Sequence, residues 1–192
     1  IKAEIKDNLP YKFLEVYGAE ADDIIATLCK YTQTEKDRSR NEKIIIVSGD
    51  KDFIQLQKYM NVKQYSPILK KYVDGHVPET YIKEHILKGD TSDGVPNVLS
   101  PDNTFTDGLR QRPLGKKKIE TWLDIDIDDL QDEVKRNYQR NEKLIDLSKI
   151  PNELEDEILT EFHGAPFGDR SKLLNYFIKS RLKNLTETIG EF

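Results

Sequence analysis

Residues 43–50 read KIIIVSGD, and this stretch decides the fold class that the sequence predicts. Three isoleucines and a valine in succession are typical of a strand that is buried on both faces of a parallel sheet. Asp50 and Asp52 follow the carboxyl end of this strand, where ligands bind in open α/β sheets. The stretch therefore predicts an α/β fold with a mainly parallel sheet and a functional site at the end of this strand.

Elements on both sides of the strand fit the same fold class. Residues 11–18 alternate apolar and polar side chains, which predicts a strand. Helical spacing of apolar residues predicts a helix from Ala21 to about Tyr31. After residue 50, the sequence predicts a short helix over 53–60, a strand pair over 62–67 and 70–75, and a helix that begins near Pro78.

The rest of the chain reads as helical beyond a loop, residues 98–115, that contains two prolines and two glycines. That loop is expected to be irregular or mobile. Helices are predicted over residues 116–123, about 131–148, about 152–162 and from 171 onward. We therefore expect two domains, an α/β domain over residues 1–77 and an all-α domain over residues 78–192.

Composition limits the classes of function. The chain has 192 residues, of which 34% are charged, and a net charge of −5. No apolar run approaches the ~18 residues of a membrane span. The single cysteine, Cys29, excludes an intrachain disulfide and fits a reducing cytoplasm. The negative charge argues against a general binder of polyanions, so contact with nucleic acid has to come from a local basic patch.

Acidic residues form three clusters on separate elements: Glu20, Asp22 and Asp23; Asp50 and Asp52; and Asp90 and Asp93. With 35 acidic residues in the chain, solvated turns could produce any one of these clusters. Carboxylates that all converge on one sheet edge, however, cannot remain ionised without counter-ions. Hard divalent cations such as Mg²⁺ would supply them. Two such ions ~4 Å apart bind the attacking and the leaving oxygen of a phosphodiester.

Three sequence blocks carry a family resemblance: EADD at 20–23, SGDKDF at 48–53 and GDTSDGVP at 89–96. Their order resembles that of the 5′-nuclease family, which includes flap endonucleases and the exonuclease domain of bacterial DNA polymerase I. The resemblance covers nearly the whole chain, and the segments LQKYMNVKQYSP and LKNLTETIGEF are most similar to the ribonuclease H branch found in T-even bacteriophages. The chain departs from the family pattern at Gly94, where the family has Asn, and at Asn97, where the family has Gly.

The resemblance implies a PIN-like nuclease domain that uses two Mg²⁺ ions, with Mn²⁺ as an alternative. In the family, residues that match Glu20, Asp22 and Asp23 serve the first metal site, and residues that match the other four aspartates serve the second. Two further family aspartates lie nearer the N-terminus and have no counterpart here. The resemblance therefore implies the C-terminal two-thirds of such a nuclease.

The clearest basic patch lies in residues 110–118, which read RQRPLGKKK. Composition alone leaves open whether it is a solvated loop, but a loop that leads into a helix N-terminus is suited to bind phosphate. The family has a helix–three-turn–helix element here that grips duplex DNA, often with a K⁺ ion. Its first glycine is absent from this chain, which leaves the K⁺ site open. The DNA-binding residues predicted here are Arg110, Arg112, Lys116, Lys117 and Lys118.

Other candidates carry less weight. The three histidines, His76, His85 and His163, share no metal-ligand spacing and are interpreted as surface or packing residues. The segment DIDIDD, residues 124–129, lacks the Gly and Glu that a Ca²⁺ loop needs. The C-terminal segment NLTETIGEF is interpreted as a tail helix rather than as a docking segment for a replication protein such as single-stranded DNA-binding protein.

The predicted function is divalent-metal-dependent hydrolysis of phosphodiesters near 5′ ends of DNA or RNA–DNA duplexes. It corresponds to a 5′ to 3′ exonuclease or flap endonuclease with RNase H activity, acting in primer removal in the cytoplasm of a bacterial host. The alternative is a structure-specific duplex-binding module that does not cut, because the N-terminal metal ligands have no counterpart in the chain. A metal-dependent phosphatase acting on small molecules would show no DNA binding at all.

Overall fold

The computed structural model describes residues 1–34 and 42–192. These residues fall into two compact units, one formed by Ile1–Glu20 and Glu153–Phe192 and the other by Ala21–Asn152. The second unit contains the sheet and every candidate site residue except Glu20. The expected boundary between residues 77 and 78 falls inside this second unit, so the two units do not coincide with the two expected domains. The domain boundary at 77/78 stays a prediction.

The sheet of the second unit has the strand order β1 (Ile44–Val47), β2 (Val62–Ser66) and β3 (Lys71–Val73). β1 pairs in parallel with β2, with Ile44 opposite Val62. β2 pairs antiparallel with β3, with Tyr65 opposite Tyr72, which confirms the predicted strand pair. Over the described residues the sheet is therefore mixed rather than mainly parallel, because the β2–β3 connection is a hairpin and not a crossover.

β1 is buried on one face, whereas the sequence predicts burial on both. Ile46 is 5% exposed, while Ile45 and Val47 are 55% and 66% exposed. The buried face packs on α2 (Ala21–Thr34) and on a 3₁₀ helix, Lys51–Lys58, through Ala26, Cys29, Phe53 and Leu56. The isoleucine run is thus a correct signal for a strand, but it does not report how many faces the fold covers.

Residues 11–18 are irregular, so the strand predicted for them is wrong. The Tyr11 carbonyl accepts a hydrogen bond from the Gly168 amide, and Tyr17 is almost fully exposed. Residues 11–18 belong to the first compact unit. The regular elements described there are helices: α1 (Lys2–Asn8), α6 (Asn152–Gly164), α7 (Leu173–Lys179) and α8 (Lys183–Glu187), with short 3₁₀ turns. Alternation needs a neighbouring strand to become a sheet, and the described part of this unit supplies none.

The helices after the sheet largely confirm the sequence periodicity. They are α3 (Pro78–Lys88), α4 (Lys116–Leu123), α5 (Asp132–Ile145) and α6. The single helix expected from residue 171 is broken into α7 and α8, because Arg181 adopts a positive φ of 56° between them. α1 lies in a segment for which the sequence predicted nothing. None of the helices in the described residues is both long and apolar enough to cross a membrane.

Two asparagines of α5 anchor the irregular loop that precedes α4. Asn137 donates to the Val98 carbonyl at 3.0 Å, and Asn141 donates to the Pro96 carbonyl at 2.9 Å. Asn97, which replaces a family glycine, is buried and donates to the Arg112 carbonyl at 2.9 Å. Residues 98–115 are irregular, as predicted, but both ends of the loop are hydrogen-bonded to buried amides.

Gly89 ends α3 in a conformation that other residues cannot adopt easily. Its φ is +68°, and a Cβ at this position would lie 2.4 Å from the Val95 carbonyl oxygen. This close approach lets Asp90 pair with Val95 in an isolated antiparallel bridge. Gly94, which replaces a family asparagine, has a φ of +74° and open space around it. Asn tolerates this left-handed region, so the departure at Gly94 preserves the backbone.

We expect Gly89→Ala to lower the free energy of unfolding by about 2 kcal/mol or more, because it adds both φ strain and a backbone clash. Gly94→Ala is the matched control, since it adds φ strain alone and should cost about 1 kcal/mol. Urea denaturation of the two variants and the parent protein measures the difference. Equal losses would show that the close approach of Gly89 to Val95 is unimportant.

Candidate functional site

An open cleft of about 560 Å³ lies at the carboxyl end of β1. Four chain segments meet there: the turn after β1, the turn between β2 and β3, α3, and the loop that follows α3. The cleft is lined by Ser48, Gly49, Asp50, Lys51, Asp52, Ile68, Tyr81, His85, Asp90 and Ser92. Two of the three acidic clusters therefore contribute to one cleft at the sheet edge that the sequence indicated.

The turn after β1 is fixed by hydrogen bonds. The Asp50 amide donates to the Ser48 hydroxyl at 3.1 Å, and the Asp50 carboxylate caps the 3₁₀ helix by accepting from the Asp52 amide at 3.0 Å. Gln64 of β2 is fully buried and donates to the Ser48 and Asp50 carbonyls. Sequence reasoning missed Gln64, although its polar amide occupies an inward position of β2 between Val62 and Ser66.

Asp90 is held by the loop that follows α3. Its carboxylate accepts from the Ser92 amide at 2.8 Å, from the Ser92 hydroxyl, and from the Asp93 amide at 3.4 Å. Burial opposes ionisation of Asp90, but the hydrogen bonds from Ser92, His85 and the Asp93 amide outweigh it, so the pKa of Asp90 is lowered. Asp90 is therefore an ionised, oriented carboxylate at neutral pH.

His85 lies between the two carboxylates. Its Nε2 is 3.1 Å from Oδ2 of Asp90, and its Nδ1 is 3.3 Å from Oδ1 of Asp52. The interpretation of His85 as an ordinary surface or packing residue is therefore wrong. His76 and His163, in contrast, pack against aromatic rings, those of Tyr81 and Phe162. Spacing could not reveal the role of His85, because Asp52 lies 33 residues before it and only the fold brings the two together with Asp90.

Negative charge dominates the cleft. Burial raises the pKa of Asp52, and Asp50, Asp90 and Asp93 raise it further, against a lowering by His85. Burial, together with the neighbouring carboxylates, raises the pKa of Tyr81 to about 12. Among the described residues, donor atoms of Asp52, His85 and Asp90 all lie within 4.8 Å of one another. Carboxylate oxygens fit a hard divalent cation, which would relieve the repulsion between them.

The other predicted metal ligands are not among the residues that line the cleft. Asp93 is exposed beside the cleft and acts on Asp52 through its charge. Asp22 and Asp23 occupy the first turn of α2, as predicted, but they do not line the cleft. Glu20 belongs to the other compact unit. The assignment of Glu20, Asp22 and Asp23 to a first metal site stays a prediction.

The basic patch surrounds the start of α4. Lys116, Lys117 and Lys118 form the exposed first turn of the helix, and the N-cap, Gly115, supplies no side-chain hydrogen bond. A helix N-terminus already carries positive potential, so three lysines there are unfavourable without an anion. Neighbouring groups compensate in part: Lys116 lies 3.7 Å from Glu120, Lys118 lies over the Trp122 ring, and Arg112 lies 3.2 Å from Glu133. Arg110 is exposed. The helix–three-turn–helix element stays a prediction, because residues 89–115 separate α3 from α4.

The chain is similar to phage and bacterial proteins that are named as nucleases or DNA polymerase I. Residues 76–192 match a family model described as "T4 RNase H, C terminal", and residues 1–86 match one described as "5'-3' exonuclease, N-terminal resolvase-like domain". The chain is 36% identical to "Ribonuclease H" of Enterobacteria phage T4 over 98% of the chain and 63% of the relative.

Two further relatives cover less of their own length. A "5'-3' exonuclease" of Buchnera aphidicola is 36% identical over 50% of the chain and 34% of the relative. "DNA polymerase I" of Bacillus subtilis is 27% identical over 98% of the chain and 22% of the relative. The chain thus spans less than two thirds of the length of these relatives. Because the match over residues 76–192 takes in more than half of the chain, the protein belongs to the T4 RNase H family.

Proposed function

We propose that the protein acts as a divalent-metal-dependent 5′ nuclease that hydrolyses phosphodiesters near 5′ ends of DNA or RNA–DNA duplexes. The observation that carries this proposal is the convergence of Asp50, Asp52 and Asp90 on one open cleft. The names of the relatives, a ribonuclease H and 5′–3′ exonucleases, support the substrate class. Primer removal in the cytoplasm of a bacterial host is the corresponding role.

In this proposal, Asp50, Asp52, Asp90 and Asp93 hold one cation, Mg²⁺ or Mn²⁺, and Glu20, Asp22 and Asp23 serve a second. When bound, such cations lower the pKa of water and stabilise charge on the phosphate. The chain supplies orientation. The cap to the Asp52 amide fixes one oxygen of Asp50, and the Ser92 hydrogen bonds fix Asp90, so each carboxylate presents its remaining lone pairs in a fixed direction.

We further propose that residues 110–118 bind the duplex backbone. The lysines at the start of α4 are exposed. Their positive charges suit contacts with backbone phosphates, which do not depend on the base sequence. The anchoring of the preceding loop to α5 would give these residues a defined position. The proposal does not include K⁺, because the chain lacks the first glycine of the family motif and retains only the second, Gly115.

A duplex-binding module without cleavage is the second candidate. It is favoured by one observation: among the described residues, the carboxylates that line the cleft come from the turn after β1 and the loop after α3, and Asp22 and Asp23 are not among them. Incubation with a 5′-flap substrate and Mg²⁺, alongside a gel shift in Ca²⁺, separates the two candidates. A gel shift without any product would support the binding module for this chain.

We expect Asp50→Asn, in a version that cleaves, to lower turnover by about 10²- to 10³-fold, the range for losing one group that stabilises transition-state charge. Duplex affinity should change little, since Asp50 lies apart from residues 110–118 in sequence and element. Single-turnover cleavage and gel shifts measure the two effects. Asp156→Asn, which changes an exposed carboxylate of α6, is the control. An Asp50→Asn variant with full activity would refute the metal assignment.

Divalent cations should stabilise the protein, and Asp52→Asn should reduce that effect. The raised pKa of Asp52 means that its charge destabilises the metal-free fold at neutral pH, and this cost disappears as the pH falls through the folded-state pKa. Asp52→Asn should therefore raise the Tm of the metal-free protein at pH 7, and the gain should shrink at acidic pH. Mg²⁺ at a concentration 100 times its Kd should add about 2.7 kcal/mol to the free energy of unfolding of the parent protein. Thermal melts with EDTA or Mg²⁺ test this, and a lower metal-free Tm for the variant contradicts it.

Replacement of Lys116, Lys117 and Lys118 by Ala should flatten the salt dependence of duplex binding. Each phosphate contact contributes about 0.9 to the slope of log affinity against log salt, so the slope should fall by about two to three units. The loss should be similar for all duplex sequences. The matched control is the triple Ala variant of three exposed lysines of the other unit, Lys172, Lys179 and Lys183. Equal slopes for the two triple variants would show that the patch is a solvated loop.

A further inference from the structure

His85 connects two carboxylates that come from separate segments. Asp52 belongs to the 3₁₀ helix after β1, and Asp90 belongs to the loop after α3. Both ring nitrogens of His85 face an oxygen of one of these carboxylates, at 3.3 Å and 3.1 Å. The histidine is itself only 14% exposed in its side chain, so the bridge lies at the base of the cleft rather than on its rim.

The contact with Asp90 is a directed hydrogen bond. A carboxylate offers oxygens that accept hydrogen bonds, and Oδ1 of Asp90 already accepts from the Ser92 amide and hydroxyl. Nε2 of His85 therefore carries the hydrogen and donates it to Oδ2 of Asp90. This bond sets the orientation of the ring. It also supplements the two hydrogen bonds from Ser92, so that Asp90 is held from both sides.

The contact with Asp52 is close but not an aligned hydrogen bond. Nδ1 of His85 is enclosed and has no hydrogen-bond partner, although Oδ1 of Asp52 is 3.3 Å away. At this separation the atoms touch, so the ring limits where the Asp52 carboxylate can lie. Because the ring stands between Asp52 and Asp90, this contact sets the closest approach of the two carboxylates.

The ring of His85 is well suited to set positions, because its own position is fixed. The two residues that follow it, Ile86 and Leu87, are buried in the core beside α5. The Gly89 amide donates to the His85 carbonyl at 2.8 Å where α3 ends. The Tyr81 ring, one turn earlier in the helix, packs edge-on against the imidazole at a centroid distance of 5.8 Å.

We infer that His85 is a positioning residue that holds Asp52 and Asp90 at the separation that a bound divalent cation requires. The inference rests on the proposed function, since it assumes that these aspartates bind the cation. Residues that orient metal-binding carboxylates in this way change metal affinity by about 10- to 100-fold when they are lost. His85 thereby extends the site into the core of the unit, through α3.

The test is Mn²⁺ and Mg²⁺ binding to the metal-free protein, measured by calorimetry and, for Mn²⁺, by electron paramagnetic resonance. His85→Phe keeps an aromatic ring against Tyr81 but removes both nitrogens. It should lower the affinity for both ions about 10- to 100-fold. His85→Gln retains an N–H donor for Asp90 and should recover most of the affinity. His76→Phe is the matched control, because His76 packs on the same Tyr81 ring and should leave affinity unchanged.

Three results would overturn the inference. Parent-like affinity of His85→Phe for both ions would remove the positioning role. Loss of Mn²⁺ affinity with Mg²⁺ affinity intact would instead identify the imidazole as a direct ligand, since Mg²⁺ prefers oxygen. Absence of divalent binding to the parent protein would overturn the proposed metal site together with the inference, which distinguishes that failure from the other two. If His85→Phe does not fold, His85→Met against His85→Gln gives the same comparison, because Met fills space without an N–H donor.

Discussion

Repulsion between carboxylates is the constraint around which the second unit is organised. Asp50, Asp52 and Asp90 reach one cleft from two segments, and burial together with the neighbouring carboxylates raises the pKa of Asp52 and of the nearby Tyr81. A fold tolerates such a cluster only when each carboxylate is held by hydrogen bonds or by a counter-ion. Here amide donors hold Asp50 and Asp90, and the half-buried His85 separates Asp52 from Asp90.

The supports of the site are buried and belong to the core. Gln64 fixes the turn after β1 from inside the sheet, and Gly89 lets the loop after α3 fold back until Asp90 pairs with Val95. Because these supports are packed, the carboxylates stay near one another even when no cation offsets their charge. The same logic applies to the loop before α4, where buried asparagines replace regular secondary structure as the source of order.

The two departures from the family pattern have different physical consequences. Gly94 in place of Asn preserves a left-handed turn, since both residues tolerate that region. Asn97 in place of Gly adds a side chain, which is buried and hydrogen-bonded to the Arg112 carbonyl and to the Ser100 hydroxyl. Asn97 thus ties the two ends of an irregular loop together. Gly94 therefore preserves the backbone conformation, whereas Asn97 adds hydrogen bonds that hold the loop in place.

The sequence by itself determined the elements whose signals are local: the isoleucine-rich strand β1, the hairpin of β2 and β3, the helix α3 that begins at Pro78, and the turns in which Asp50 and Asp90 lie. It failed for residues 11–18, because alternation predicts a strand only where a partner strand exists. Only the tertiary structure decided that β1 is covered on one face, that Asp22 and Asp23 do not line the cleft, and that His85 lies between Asp52 and Asp90. The contact between Asp52 and His85 joins residues far apart in the chain, and spacing along the chain does not encode distances across a packed core.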